Sequence, residues 1–356
     1  MADSAAKWVN DNEDYRELWE ILRTIWGTTG PVPFQGSLPY IIYCWEQWNV
    51  LALSENARHT TIRSHADAAP LIRRILEGKD HTEILSSILP PAPLAQAHRD
   101  EAARRAQTSL DLLSRMCVLV SIGRNPTEMS SLENLRWSSG TLKDFISGQF
   151  TKTTTLKADR LRLQKTFDAW ALWVVAGIQI SFTSNLADHL LLTDDDTTLQ
   201  VFHQVTFLKH QNRNLYPEDF VRETLNTISL LFPQAEFGTR SRSPRKKVKF
   251  FQNLRRGYGL TDAIDEHVVH CGTLRTHARQ FEKFKYWHDR LVILKQAFDE
   301  SPPRTLSQWW HDDRNYERWW MFWVVVFLFL ISTPLTIIQA IEGGIQVYKA
   351  YNPGAG

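Results

Sequence analysis

An uncharged segment of 23 residues lies near the C-terminus and constrains this chain more than any other feature. It runs from Trp319 to Ile341 and reads WWMFWVVVFLFLISTPLTIIQAI. Because an α-helix rises about 1.5 Å per residue, roughly 20 apolar residues cross the ~30 Å hydrocarbon core of a bilayer. The segment therefore predicts a single transmembrane helix (319–341), which is followed by a short tail (342–356).

The residues that flank this segment predict its orientation. Basic residues precede it at Arg314 and Arg318, whereas Lys349 is the one basic residue after it. Positive-inside counting therefore places the N-terminal body in the cytosol. Tryptophans crowd the same N-terminal side, as in an interfacial aromatic belt; they are Trp309, Trp310, Trp319, Trp320 and Trp323. A segment so close to the C-terminus predicts post-translational insertion, as in tail-anchored proteins, and we expect an ER-type endomembrane rather than a mitochondrial one.

The rest of the chain has the composition of a folded, water-soluble body. Even with the apolar segment included, 43% of the 356 residues of the whole chain are hydrophobic and 22% are charged, and the mean hydropathy is −0.32. These values are typical of globular proteins. Three isolated cysteines (Cys44, Cys117 and Cys271) make no disulfide framework, and the first twenty residues lack the apolar core of a signal peptide. We expect a soluble body over 1–300, with a subdivision near 90–94 left open, and a juxtamembrane segment over 301–318.

Hydrophobic periodicity predicts a mainly α fold, a helical bundle with one small β-hairpin. The hairpin is predicted between His189 and His203, where apolar residues alternate around the turn sequence TDDDT. Gly27–Pro39 is predicted as a loop, and the uncharged stretch Ala169–Ala187 as a buried helix of the body. Helices are predicted over Asn10–Trp26, Tyr40–Leu53, Ala66–Leu89 (one or two), Leu94–Ile122, part of Met129–Phe150, Lys157–Ser181, Pro217–Phe232 and Phe281–Phe298.

A basic stretch, Arg240–Arg256, is the strongest charge anomaly, with eight basic residues and no acidic one. One interpretation is a solvated loop over 238–258. A second is contact with anionic lipid headgroups, to which each basic residue contributes about 1 kcal/mol; the residues proposed are Arg245, Lys246, Lys247 and Lys249. Phosphorylation of Ser241 or Ser243 would weaken that contact. A third is nuclear import or nucleic-acid binding, which a membrane anchor makes the least favoured.

Small residues recur every four positions within the predicted transmembrane helix. They are Ser332, Thr336, Ala340 and Gly344. On a helix they form one stripe, and such stripes let transmembrane helices approach closely. We therefore expect a homo-oligomer or a membrane-protein partner as well as the lipid bilayer. Chance spacing of tolerated small residues stays open, and Pro334 lies in the same span.

Catalytic and metal signatures are weak in this sequence. A cluster of possible zinc ligands lacks a second ligand pair at standard spacing; it comprises Glu266, His267, His270, Cys271 and His277. The three consecutive aspartates Asp194–Asp196 predict an exposed turn rather than a cation site. The usual nucleophile-elbow, zincin, P-loop and dinucleotide motifs are missing. No catalytic, cofactor-binding or metal residue is therefore assigned, no cofactor is expected, and enzyme status stays uncertain and leans towards no.

Three functional interpretations remain. The favoured one is a membrane-tethered interaction or regulatory protein. The first alternative is an enzyme with an unrecognised helical active site, because a triad of distant residues leaves no motif. The second is a winged-helix-like nucleic-acid or protein interaction module, since a helix, a hairpin and another helix follow one another over Lys157–Phe232.

The C-terminal half of the chain also contains a series of distinctive short sequence motifs. It includes DRLVILK at 289–295, FDE at 298–300, QWW at 308–310, RN at 314–315 and IEGGIQVYKAY at 341–351. In this pattern the chain resembles an uncharacterised family of filamentous-fungal proteins with a QWW…RN block, an apolar segment and an IEG-x-x-QVYKAY tail. The sequence HDDRN (311–315) departs from a more basic DRRN in many of them. The resemblance implies a single-pass membrane protein and supplies no activity or site residue.

Overall fold

A computed structural model of the chain describes residues 13–27, 34–49, 60–62, 64–89, 96–123, 135–156, 162–211, 215–238, 245–257, 263–301 and 316–351. Thirteen α-helices and three β-strands lie within these ranges, so the mainly α prediction is confirmed. The first seven helices are α1 (Glu13–Trp26), α2 (Phe34–Trp48), α3 (His65–Leu76), α4 (His81–Ile88), α5 (Gln96–Val118), α6 (Leu142–Gln149) and α7 (Ala169–Val174).

The sheet and six further helices follow. The strands are β1 (Gln179–Thr183), β2 (Leu191–Thr193) and β3 (Thr198–Phe202). The helices are α8 (Val205–His210), α9 (Phe220–Leu231), α10 (Gln234–Phe237), α11 (Arg245–Gly257), α12 (His288–Glu300) and α13 (Tyr316–Tyr351). One contiguous hydrophobic cluster runs through the body, from Ile21 on α1 to Phe298 on α12.

Helix α5 forms the centre of the body, and its C-terminal end is buried. The last carbonyl groups of a helix have no partner within the helix, so burial requires partners from elsewhere. Tyrosine hydroxyls supply them here. Tyr40 Oη donates to the carbonyl oxygen of Met116, and Tyr216 Oη donates to the carbonyl oxygen of Val118. The donor–acceptor distance is 2.5 Å in both hydrogen bonds. The C-terminal half of this helix is buried, as its apolar sequence LLSRMCV (112–118) predicts after the charged start HRDEAARR (98–105).

The predicted hairpin is confirmed as β2 and β3, which pair antiparallel. The structure adds a third strand that the sequence analysis missed. Strand β1 pairs parallel to β3, so that β3 lies in the middle of a three-stranded sheet. Parallel strands need a connection of about a dozen residues or more. Residues 184–197, which include β2, make that connection.

The predicted long helix over Lys157–Ser181 is wrong. Within the described part of this range, residues 162–181, only Ala169–Val174 is helical, after which the chain turns at Gly177 (φ 73°) and enters β1. The buried helix predicted over Ala169–Ala187 is therefore a six-residue helix followed by a five-residue strand. The winged-helix outline depended on that long helix, and the six-residue α7 does not provide it.

The boundaries of two other helices also differ from the prediction. Helix α2 begins at Phe34, inside the predicted loop, and holds Pro39 in its interior. Its Gly36 lies so close to Thr206 that an added Cβ would come within 2.8 Å of Thr206 Oγ1, so tertiary packing fixes this end. The helix predicted from Phe281 begins instead at His288, after a short 3-10 turn. The predictions for 50–53, 90–94, 240–244 and 302–315 lie outside the described residues.

Candidate functional site: a basic aromatic groove

The basic stretch folds into an amphipathic helix over its described part. Helix α11 spans Arg245–Gly257, so the predicted loop over 238–258 is wrong for these residues. Four of its side chains lie three or four residues apart and turn towards the body: Lys247, Phe250, Phe251 and Leu254. Apolar residues at this spacing stabilise a surface helix by packing one face on the core. Helix α11 therefore packs on the body through this face.

One lysine of the stretch belongs to that docked face. Lys247 Nζ donates to Asp168 Oδ2 at a distance of 2.5 Å, and it also donates to a carboxylate oxygen of Glu236. The same ammonium lies over the rings of Trp170 and Phe237, at 5.6 and 5.7 Å from their centroids. Lys247 thus holds α11 to α7 and α10 together, and it faces the body rather than solvent.

The charge of this lysine is stabilised by its surroundings. Burial alone would lower the pKa of Lys247, but the carboxylates of Asp168 and Glu236 outweigh burial and raise that pKa. Asp168 is itself fully buried and caps the N-terminus of α7. Its Oδ1 accepts a hydrogen bond from the backbone N–H of Ala171 at a distance of 2.8 Å. The Lys247 cation is therefore committed to the fold. Among the three lysines predicted to contact anionic lipid, all of them in the described part of α11, Lys247 is the one whose charge has protein partners on both sides.

An open groove of about 570 Å³ runs between α7, β1 and α11. Ligand sites in proteins commonly enclose about 300–1,000 Å³. Trp173 is 41% exposed at this groove, with its ring centroid 5.1 Å from that of Phe250. The groove is lined from α7 and β1 by Trp170, Trp173 and Ile180, and from α11 by Lys246, Lys249, Phe250, Asn253, Leu254 and Gly257.

Two further predicted residues, Lys246 and Lys249, form the charged rim of this groove. Both are exposed, and neither has an ion-pair partner among the residues that the structure describes. They lie one turn apart on α11, so their ammonium groups project from the same side. Arg245 begins the same helix. Two cations above an aromatic floor suit a ligand with an anionic group joined to an apolar one.

A contact between a half-buried serine and a buried histidine lies elsewhere in the body. Ser184 Oγ is 3.0 Å from His203 Nε2, the spacing of a nucleophile and its base. The other ring nitrogen, Nδ1, accepts from the backbone N–H of Asp265 at 3.4 Å. A backbone N–H can only donate, so the ring proton lies on Nε2 and His203 donates to Ser184. In this arrangement the imidazole does not act as a base towards the hydroxyl.

The residues weighed as possible zinc ligands are organised around the carboxylate of Asp265. Asp265 Oδ1 accepts from the backbone N–H of His267 and contacts its Nδ1 at 3.1 Å, while Asp265 Oδ2 accepts from the N–H of Thr206 at 2.6 Å. Burial raises the pKa of the Cys271 thiol to about 12, which keeps it protonated. Among the described residues no group of three or more His, Cys, Asp or Glu side chains is arranged to hold a metal ion.

The remaining predicted positions are an acidic turn and the small-residue stripe. Asp194, Asp195 and Asp196 have positive φ values of 54°, 53° and 61° and are exposed, as expected of a turn. The stripe lies within α13, and its hydroxyl groups bond to their own helix. Thr336 Oγ1 donates to the carbonyl of Ser332, and Ser332 Oγ to that of Phe329.

Comparisons with protein-family models, curated proteins and solved structures found no match to this chain. The geometry of α11, its groove and α13 therefore carries the functional argument.

Proposed function

We propose that this chain is a membrane-tethered interaction protein whose cytosolic body is held by a single C-terminal transmembrane helix. One observation carries the proposal. Within α13, the span Trp320–Tyr348 contains an 18-residue window with a mean hydropathy of 2.4, and no part of that window is buried by the rest of the chain. A soluble body rarely leaves so large an apolar surface in water.

The length of this span also suits a bilayer. Twenty-nine helical residues extend about 43 Å, close to the ~40–45 Å thickness of a bilayer with its headgroup regions. Trp320 and Tyr348 lie at its two ends, where aromatic side chains favour the membrane–water interface. Helix α13 thus continues beyond the predicted end at Ile341, so the interfacial tail is helical to Tyr351.

The orientation, the mode of insertion and the membrane itself are part of the proposal. Arg314 and Arg318 precede the apolar span Trp320–Tyr348, whereas Lys349 alone follows it, and this asymmetry supports a cytosolic body; the membrane proposed is of the ER type. The family resemblance supports a single-pass protein. Homo-oligomerisation through Ser332, Thr336, Ala340 and Gly344, and contact of the basic helix with anionic lipid, would supply its interactions.

Glycosylation mapping tests this topology. An Asn-x-Thr acceptor site is appended after Gly356 in one variant and before Met1 in another, and both are expressed with ER membranes. We expect glycosylation of the C-terminal site alone, together with resistance of the protein to alkaline carbonate extraction. Extraction into the soluble fraction would overturn membrane anchoring, and glycosylation of the N-terminal site would overturn the cytosolic body.

A further inference from the structure

We infer that the groove between α7, β1 and α11 binds the headgroup of an anionic glycerophospholipid in the bilayer that holds α13. The inference rests on the proposed membrane anchoring and names the partner of the body. The groove then becomes a second, reversible contact between this protein and its membrane.

The charge of the groove is the first support. Helix α11 carries no acidic residue from Arg245 to Gly257. With Lys247 committed to Asp168 and Glu236, the side chains that face the groove with unneutralised charge are Lys246 and Lys249. Two ammonium groups one helical turn apart complement a phosphate that is joined to a second anionic group. A lipid with a neutral or zwitterionic headgroup offers less to this pair.

The exposed aromatic side chain is the second support. Trp173 is 41% exposed, although the body buries most of its other large apolar side chains. Tryptophan favours the headgroup level of a bilayer, where its ring packs against apolar groups and its N–H reaches polar ones. Phe250 beneath it extends the apolar floor of the groove. An exposed aromatic beside lysines is typical of surfaces that lie at a membrane interface.

The tether makes this contact geometrically accessible. Fifteen residue steps separate Ser301, after α12, from Tyr316 at the start of α13. An extended chain of that length spans at most about 50 Å, so the body stays close to the bilayer that holds α13. Because the tether gives the groove a high effective concentration of lipid headgroups, a low intrinsic affinity is enough for binding. A nucleic acid or an acidic peptide has no such advantage.

Hydrogen–deuterium exchange of the full chain in lipid nanodiscs tests the inference. One set of discs holds phosphatidylcholine alone, and the other holds about 30 mol% phosphatidylserine in addition. We expect the amides of 245–257 and 169–183 to exchange more slowly in the phosphatidylserine discs, by roughly tenfold, because occupancy stabilises the docked α11. The difference should shrink at about 1 M salt, where exposed charges are screened.

Matched variants separate the groove from general surface charge. The double variant Lys246→Gln/Lys249→Gln should lose the lipid-dependent protection, and Trp173→Ala should lose it independently. Lys143→Gln/Lys165→Gln removes the same charge from exposed sites outside the groove and should keep it. Each variant is compared with itself in the two lipids, so a change in fold alone moves both measurements.

Equal exchange in both discs would overturn the inference while leaving membrane anchoring intact, because the protein must still be embedded. Protection that survives Lys246→Gln/Lys249→Gln would place the lipid elsewhere. Protection by inorganic phosphate or by a short oligonucleotide in phosphatidylcholine discs, without an effect of phosphatidylserine, would assign the groove to a soluble anion.

Discussion

Lys247 Nζ lies 2.5 Å from Asp168 Oδ2, and this contact joins the basic helix α11 to the N-terminal end of α7. Asp168 is fully buried and Lys247 is 13% exposed, so solvent barely screens the pair. Neighbouring lysines on α11 have the opposite environment, since Lys246 and Lys249 are exposed. One basic run therefore divides into a cation that builds the fold and cations that remain available to a ligand.

Replacing Lys247 by Met should destabilise the body strongly. The change leaves the buried Asp168 carboxylate without its cation, and removing one partner of a buried pair costs about 3–5 kcal/mol. Urea unfolding of the full chain in detergent micelles, followed by tryptophan fluorescence, measures the free energy of unfolding.

Lys246→Met is the matched control, and it should change the free energy of unfolding by less than about 0.5 kcal/mol. The double variant Lys247→Met/Asp168→Asn should recover part of the loss, because the unpaired charge is gone. Similar stabilities of the Lys247 and Lys246 variants would contradict the structural role given to Lys247.

Stability should fall as the pH is lowered from about 6.5 towards 4, with a contribution from two buried histidines. Burial lowers the pKa of His189 to about 3 and that of His203 to about 4. An unfolded histidine has a pKa near 6.5, so in this window the unfolded chain binds protons that the folded chain does not. Each such histidine contributes a slope of up to about 1.4 kcal/mol per pH unit.

Replacement of His203 by Gln tests this pH dependence. The free energy of unfolding of the variant should vary less steeply between pH 6.5 and 4 than that of the parent chain. His277→Gln, at an exposed position, is the comparison and should leave the slope unchanged. An identical slope in the His203 variant would show that His203 titrates alike in both states.

Two glycines with the same backbone conformation should differ in their tolerance of alanine. Gly123 and Gly140 have φ values of 71° and 73°. An added Cβ at Gly140 meets nothing within 4 Å, whereas at Gly123 it would lie 2.1 Å from Asp111 Oδ2. We expect Gly140→Ala to cost about 1–2 kcal/mol for the left-handed conformation alone.

Gly123→Ala should cost about 1–3 kcal/mol more, because the Asp111 side chain must move. Asp111 accepts a hydrogen bond from Gln107 Nε2 at 2.7 Å, which restrains its movement. Urea unfolding of the two variants side by side measures the difference. Equal losses would mean that Asp111 relaxes freely.

Self-association through the stripe on α13 stays a prediction, and bulky replacements test it. The hydroxyls of Ser332 and Thr336 are satisfied within their own helix, so close packing rather than interhelical hydrogen bonding would drive association. Thr336→Leu/Ala340→Leu should lower the dimer association constant in membranes about fivefold, for a loss near 1 kcal/mol, and so lower the dimer fraction.

Resonance energy transfer between labelled chains in vesicles measures this association. Ile338→Phe adds bulk on the opposite side of α13 and should leave the dimer fraction unchanged. An unchanged signal in the Thr336/Ala340 variant would remove the stripe from the proposed function.

The limits of prediction are clearest at α7 and β1. Leu163, Phe167, Trp170, Val174 and Ile178 repeat at helical spacing and predict one long helix, yet Gly177 ends the run and Ile178 leads into a strand. The spacing was real, because Leu163, Phe167 and Ile178 are buried. Over a segment this short, buried residues on an irregular chain path can show the same spacing as buried residues on one face of a helix. Gly177 and the capping residue Asp168 were the local signals of the shorter helix.

The groove was partly predictable. The basic stretch drew attention to Lys246 and Lys249. Periodicity could not show that these two face the groove while Lys247 faces the body, because all three are lysines within four positions. The separation depends on Asp168, 79 residues away in sequence, and on Glu236. Trp173 was missed because a buried helix was predicted around it, and exposure of a single side chain leaves no pattern in the sequence.

The sequence alone determined the features that depend on local composition and period. These are the apolar helix α13, the mainly α body, the hairpin β2–β3 and the buried end of α5, each of which needs only short-range patterns of apolar residues. Tertiary structure alone decided the parallel strand β1, the docking of α11 and the groove beside Trp173. Those depend on pairing between distant segments, where the free energy of burial and of ion pairing overrides local propensity.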